Sequence, residues 1–235
     1  MLRRLTKMKY FFPGIFGAFF FAWIVQIALP YTSLSRLEPV VDPDTNQPYP
    51  YNISGVAQQG RSVYAANGCV SCHTQQVRSD SLGGDAMRGW GTRQSVARDY
   101  IYEDAVFLGA LRVGPDLSGV GARDLAKTGA EDLTSVEARG KNAAWHYIHL
   151  YNPRIVSPKS NMPAFAYLFD KRKIKGEPSP KALVLPAKFA PPADYEIIPT
   201  PEAEALVGYL LSLNKNHDLP EAKARPVAAV AATAP

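Results

Sequence analysis

The residues best suited to chemistry in this chain are Cys69-Val70-Ser71-Cys72-His73. The two cysteines are the only ones among 235 residues. Their three-residue separation is too tight for a framework disulfide and supplies only half of a four-thiolate zinc site. Cys-x-x-Cys followed directly by His is instead the attachment pattern of a c-type haem. Two thiols on one turn of chain can reach both haem vinyl groups, and the adjacent imidazole can take one axial position on iron. Cys69, Cys72 and His73 therefore predict one covalent haem c. The rival readings are a thioredoxin-like dithiol, which needs a surrounding βαβ pattern that is absent, and a stray zinc site.

A methionine is the expected second axial ligand, and the chain has four. Met1 and Met8 precede the apolar N-terminal run, and Met87 follows the motif closely in a Gly-rich loop. Met162, in Ser160-Asn161-Met162-Pro163, is far enough along to return across the opposite haem face and is the favoured ligand. The alternative makes Met162 a core residue and His146 or His149 the ligand. These histidines are three apart on an expected helix; packing, capping or hydrogen bonding to a haem propionate suits them better than a two-ligand metal site. Gly114-Pro115-Asp116-Leu117 reads as a turn, and a carbonyl presented at Pro115 could accept the second ring N–H of His73. Arg78, Arg93, Arg112 and Arg154 are candidates to offset the propionates, with solvated surface positions as the competing reading.

These residues need elements to position them. Phe11 to Leu29 carries no charge; as a helix rising about 1.5 Å per residue it spans about 28 Å, one hydrocarbon core. Arg3, Arg4, Lys7 and Lys9 precede it, which predicts a single-pass anchor with a cytoplasmic N-terminus and all later residues outside. A cleaved signal peptide is the alternative, disfavoured by the span length and the bulky Leu29-Pro30-Tyr31 exit. The expected fold is mainly α: this transmembrane helix plus a class I cytochrome c-like helical domain with long loops. Its divisions are a stub and anchor over 1–33, a linker over 34–55, a monohaem domain over 56–217 with a Pro-rich loop at 171–199, and a disordered tail over 218–235.

Within that domain, helices are expected over Ala57 to Asn67, stopped by Gly68, and over Asn142 to Leu150. A third begins at Thr200-Pro201-Glu202-Ala203-Glu204, with proline in the first turn and acids at the positive helix end. Tyr209 on this last helix is expected to cross the first near Gly60 and Tyr64, where glycine allows close backbone approach. The net charge of +5 is spread without a dense basic block, so nucleic acid is not an expected partner.

With these residues assembled, the chain resembles subunit II, the single-haem subunit, of the cbb(3)-type (C-family) haem-copper cytochrome c oxidases. The resemblance rests on the haem motif, Gln76-Val77-Arg78, Arg88-Gly89-Trp90-Gly91, Gly114-Pro115-Asp116-Leu117, Trp145-His146 and His149-Leu150-Tyr151-Asn152-Pro153-Arg154 leading into Asn161-Met162-Pro163. It implies that Met162 is the distal ligand and that the Gly-Pro turn flanks the proximal His73. It implies a bacterial inner-membrane location with a periplasmic haem domain. The implied partners are the catalytic haem-copper subunit, other oxidase subunits and a donor cytochrome c. Oxygen chemistry in that class needs several histidines inside the membrane; the span has none, so the implied role is electron transfer to a partner. The chain departs from the pattern at Asp80 to Met87, Ala122 to Asn142 and Lys171 to Pro199. Rival readings are the small cytochrome subunit of a nitric-oxide reductase, against which the His149 to Arg154 stretch argues, and a free-standing anchored cytochrome.

Overall fold

The computed structural model describes residues 8–42, 46–125 and 135–225. The cationic residues Arg3, Arg4 and Lys7, residues 126–134 of the 122–142 departure and the last ten positions of the expected tail lie outside the described residues. The chain divides into two units, Met1–Pro50 with Ala97–Glu103, and Tyr51–Val96 with Asp104–Pro235.

The first unit carries helix α1, Met8–Leu34, whose side chains are unburied and which is long and apolar enough to cross a membrane. The ladder widens to a π-helical turn over Ile24–Ala28. Beyond it lies a correction to the expected irregular linker. Strands β1 (Val40–Val41) and β2 (Pro48–Tyr49) form a short antiparallel hairpin. The Tyr49 hydroxyl, on a side chain that is 4% exposed, donates to Asp99 at 2.7 Å. A buried phenol needs such a partner, and Asp99 supplies it from a 3-10 turn 50 residues away.

The second unit is built on the crossing of α2 (Gly55–Ala66) and α4 (Pro201–Ser212). Both start and stop for readable reasons. Gly68, at φ 66°, adopts the left-handed conformation just beyond α2 and turns the chain into the cysteine motif. The Thr200 side chain accepts the Ala203 N–H at 3.3 Å, Pro201 occupies the first turn, and Glu202 and Glu204 face the positive helix end.

The crossing falls where the sequence places it. A Cβ on Gly60 would lie 1.8 Å from the Ala205 carbonyl oxygen and 2.8 Å from Tyr209 Cβ, so only glycine lets the two backbones approach this closely. The rings of Tyr64 and Tyr209 meet edge-on at 5.5 Å. Leu206, Val207 and Leu210 belong to one buried core with Leu117, Val120, Leu150, Leu168 and Ile197. Each such side chain contributes about 1.5–3 kcal/mol on leaving water. The Tyr209 hydroxyl sits 3.0 Å from Nε2 of the fully buried Gln75, tying the core to the residue two past His73.

Helix α3 runs Val136–Tyr151, starting well before the expected Asn142, and Ser135 caps it by accepting the Ala138 N–H at 3.3 Å. The expected loop over 171–199 is closed at both ends by an antiparallel hairpin. Strand β3 (Phe169–Lys173) pairs with β4 (Tyr195–Pro199), and Arg172 donates to Glu196 at 2.7 Å across it. The expected disordered tail also needs correcting over 218–225. Leu219 is fully buried, Ala222 is 9% exposed, and the Arg225 N–H donates to Thr92 O at 3.1 Å.

Candidate haem site

Directly after Gly68, Cys69–Ser71 forms one 3-10 turn. The His73 N–H donates to Cys69 O at 3.0 Å, which fixes both thiols and the imidazole on a single compact turn. Cys69 is half-buried and Cys72 exposed, and both are unpaired. Burial pushes the Cys69 thiol up to about 11, so it is not the low-pKa thiolate that a dithiol redox centre requires.

The imidazole of His73 is held from two sides. Its Nδ1 lies 2.7 Å from the carbonyl oxygen of Pro115. A carbonyl oxygen only accepts, so Nδ1 carries the proton and Nε2 is left with its lone pair for a metal. Burial pushes the imidazole below the ordinary histidine range and so favours the neutral form that ligates, while the bond to Pro115 acts in the opposite direction. On the flat side, a Cβ on Gly114 would come within 2.2 Å of His73 Cε1. Glycine here lets the loop backbone pack against the ring face.

Asp116, read from sequence as part of a turn, locks this loop. Fully buried, it accepts from Thr74 Oγ1 at 2.5 Å and from the Gln76 N–H at 2.7 Å through one oxygen, and from the Ser118 N–H at 2.8 Å through the other. The Gly114 N–H donates to Cys72 O at 3.0 Å and the Leu117 N–H to Thr74 O at 2.8 Å. The loop is thereby laced to the motif at every second residue.

Met162 lies half-buried in the segment between the 3-10 turns Pro153–Ile155 and Ala166–Leu168. It packs on the same core as Cys69 and Val70. Its N–H donates to Ser160 Oγ at 3.2 Å, and the Phe165 N–H returns the segment to α3 through Leu150 O at 2.9 Å. The Tyr167 hydroxyl donates to Asn67 Oδ1, joining this segment to the end of α2 just before the cysteines.

The arginines divide. Arg112 is ion-paired with the buried Asp85 and also donates to Gln76 O at 2.6 Å. Arg78 lends its backbone N–H to the same Asp85 at 2.7 Å, while its side chain is exposed. Arg154 is exposed in its 3-10 turn. Arg93 is buried, but its guanidinium serves His217 O at 2.5 Å and Gln94 O at 3.0 Å. Sequence reasoning did not single out Arg123, a half-buried arginine that donates to Trp90 O at 2.6 Å and to Asp116 O. Among the described residues no group of three or more His, Cys, Asp or Glu side chains could hold a bare metal ion. The compact Cys-Cys-His turn, a Nε2 left free by Pro115 and the glycine cradle under the ring suit a haem.

The profile of the family described as "Cytochrome C oxidase, mono-heme subunit/FixO" matches residues 6–185. The chain belongs to this family of mono-haem cytochrome c oxidase subunits. Membership bears out the resemblance to subunit II of the cbb(3)-type oxidases. For a FixO-family subunit one haem follows, as do other oxidase subunits as partners. The match covers α1, the cysteine motif, the Gly114–Leu117 loop and Met162, and ends within the segment spanned by β3 and β4. No curated protein matches the sequence.

Proposed function

We propose that the chain is the electron-transfer subunit of a cbb(3)-type oxidase, holding one haem through thioethers to Cys69 and Cys72 with His73 and Met162 as axial ligands. The observation that carries this is the orientation of His73, whose ring is held by Pro115 and Gly114 with Nε2 left free on the turn that bears both thiols. A haem held there supplies one-electron redox chemistry, accepting from a donor cytochrome c and delivering toward the catalytic haem-copper subunit. The chain's own residues do the holding. Pro115 fixes the imidazole tautomer, Asp116 fixes the loop bearing Pro115, and the α2–α4 crossing gives the motif a rigid base. Met/His ligation favours a fairly high potential.

The domain built on α2, α3 and α4 is read as class I cytochrome c-like, and α1 as a single-pass anchor. The positive charges at Arg3, Arg4, Lys7 and Lys9 support a cytoplasmic N-terminus, with the haem domain in the periplasm of a bacterial inner membrane. The family match favours the oxidase over a nitric-oxide reductase or a free-standing carrier.

Mild-detergent extraction of the membrane-bound protein tests this reading. The expected result is a haem-staining band of 25.7 kDa, with a c-type α band, co-purifying with a large subunit that carries b-type haem and copper. A lone red protein, or a chain without haem stain, overturns it.

A further inference from the structure

The 3-10 turn Val120–Ala122 follows directly on the loop that orients His73, and the chain beyond α4 is built against it. The Gly121 N–H donates to Leu213 O at 2.8 Å, and the Lys215 N–H donates to Ser118 O at 3.0 Å. Ser118 is fully buried, and its own N–H donates to Asp116 at 2.8 Å. This residue is held at both ends, by Asp116 through its N–H and by the chain after α4 through its carbonyl. A Cβ on Gly121 would come within 2.4 Å of Leu211 O, and one on Gly119 within 2.9 Å of Asn216 Nδ2. Glycine at both positions lets the two stretches of backbone lie in contact.

The same C-terminal stretch grips a second segment. Asn216 Oδ1 accepts the Thr92 N–H at 3.1 Å, and Asn216 O accepts from Thr92 Oγ1 at 3.4 Å. The Arg225 N–H donates to Thr92 O at 3.1 Å, and its guanidinium pairs with Asp80 at 2.8 Å. Thr92 therefore has its N–H, its carbonyl and its hydroxyl all engaged from this one stretch. Between the two grips the chain closes on itself. Leu219 and Ala222 exchange backbone hydrogen bonds at 3.2 Å, Asp218 accepts the Ala224 N–H at 2.7 Å, and Leu219 is fully buried.

Irregular chain ordinarily spends its backbone groups on water. Residues 213–225 spend theirs on two segments that converge on Asp116, and so form a strap. One route runs through Ser118, whose N–H Asp116 accepts. The other runs through Arg123, which donates both to Trp90 O, two residues before Thr92, and to Asp116 O. From Asp116 the path to the imidazole is short, since the next residue back, Pro115, places its carbonyl oxygen 2.7 Å from His73 Nδ1. The orientation of a ligating imidazole is set by what its other ring nitrogen meets. The matched family profile ends at residue 185, before the strap begins.

We propose that the strap over 213–225 positions His73 for ligation, with Asn216 as its positioning residue, acting through Ser118, Asp116 and Pro115 on the plane of the imidazole. This rests on the reading of His73 as an axial ligand of a haem, and the test lets the two fail separately.

The readout is the electron paramagnetic resonance of the low-spin ferric haem in the haem-bearing protein in detergent, whose g-values follow the plane of the axial imidazole. It is read beside the chemical denaturation midpoint. Asn216→Ala frees the Thr92 N–H and opens space against Gly119, whereas Asn216→Asp keeps the accepting oxygen. A chain ended after His217 retains Lys215 and Asn216 but loses the Leu219 turn and the Arg225 clamp. The expected result is a shift of the g-values in Asn216→Ala and in the shortened chain, with Asn216→Asp close to the unaltered protein. Unmoved g-values in both altered chains, even with a lowered midpoint, overturn the proposal and leave the strap a scaffold only. An unaltered chain without a c-type α band fails the haem reading itself, and the proposal with it.

Should the variants fail to fold, amide hydrogen exchange in the unaltered haem-bearing protein decides. The N–H groups of Thr92 and Lys215, held by or within the strap, are expected to exchange within about tenfold of those of Leu117 and Gly121, as one opening unit. Thr92 and Lys215 exchanging faster than that would show the strap opening while the loop stays in place, which overturns the proposal.

Discussion

Gly114 lies flat against the ring of His73: a single added methyl would come within 2.2 Å of Cε1 and 2.7 Å of Nδ1. Neither neighbour can retreat easily, since the ring is bound to Pro115 and the loop to Cys72. Gly114→Ala is therefore expected to rotate the imidazole or push the loop away, breaking the Nδ1 bond. The outcome to look for is a lowered yield of haem-bearing chain, with an altered Soret position in what remains. Gly140→Ala is the matched control. Gly140 sits mid-helix in α3 with open space around it, so alanine there should stabilise by about 0.5–1 kcal/mol and leave the spectrum unchanged.

The α2–α4 crossing gives a second test, on the scaffold rather than the ligand. Gly60→Ala places a methyl 1.8 Å from a backbone carbonyl, and backbone cannot swing aside as a side-chain tip can. The helices must separate, loosening Tyr64, Leu206 and Tyr209. A loss of about 2–3 kcal/mol or more is expected from overpacking at such a site. Chemical denaturation followed by far-ultraviolet circular dichroism should show the midpoint falling; an unchanged midpoint would show that the crossing is not tight.

The contrast between these two glycines shows what was legible in the sequence. Gly60, Tyr64 and Tyr209 follow from helical spacing, and so do the Thr200-Pro201 start of α4 and the Gly68 stop of α2, because each signal is local. Gly114 and Pro115 were legible as a turn whose carbonyl could accept from His73, and that contact is present at 2.7 Å, whereas the packing of Gly114 against the ring was not legible. Asp85 and Arg112, 27 residues apart in irregular chain, share no periodicity that could pair them. Arg123 was invisible for the same reason. The β3–β4 pairing escaped because its strands are separated by more than twenty Pro-rich residues and β3 is Phe-Asp-Lys-Arg-Lys, a polar run. The burial of Leu219 escaped because one leucine in Ala- and Pro-rich chain carries no period.

Asp116 supplies a third prediction. Asp116→Ala would strand Thr74 Oγ1 and the N–H groups of Gln76 and Ser118 in the interior. At about 1–3 kcal/mol for each unpaired buried group, softened where water enters, a loss of about 3 kcal/mol is expected. Because Pro115 rides on this residue, the haem spectrum should be perturbed together with the melting temperature. Asp116→Asn keeps one oxygen for the pair from Thr74 and Gln76 or for Ser118, but not both sets, and should fall between. Equal melting temperatures for Asp116→Ala and the unaltered chain would refute the network's role.

Glu196 governs a pH dependence. The Ser179 N–H and the Arg172 side chain both donate to its carboxylate, at 2.7 Å each, and hold it below the usual carboxylate range. A carboxyl whose folded-state pKa is depressed stabilises the fold above its unfolded value, here 4.5. That contribution is lost as pH falls through the folded value. Thermal unfolding of the unaltered chain should therefore weaken progressively below about pH 4.5. In Glu196→Gln, whose amide cannot titrate, this part of the slope should flatten; an unchanged slope would assign the acid sensitivity to other carboxyls.

Met162 separates ligation from packing. The residue is half-buried against the core that also holds Cys69, so a methionine with no role beyond filling space would sit there equally well. Met162→Leu conserves most of the volume, and isosteric core swaps of this kind cost less than about 1.5 kcal/mol. If the sulfur is a ligand, the melting temperature of the haem-bearing chain changes little from the packing alone, while the thioether charge-transfer band vanishes and the reduction potential falls. If Met162 only packs, both spectral quantities stay as they were. His149→Phe in the same background then decides whether that imidazole, which lies within electrostatic reach of His73, takes the vacated position. A bis-histidine spectrum in Met162→Leu that disappears in the double variant would identify it as the substitute ligand, whereas an unchanged open-site spectrum in both would show that it does not reach the iron.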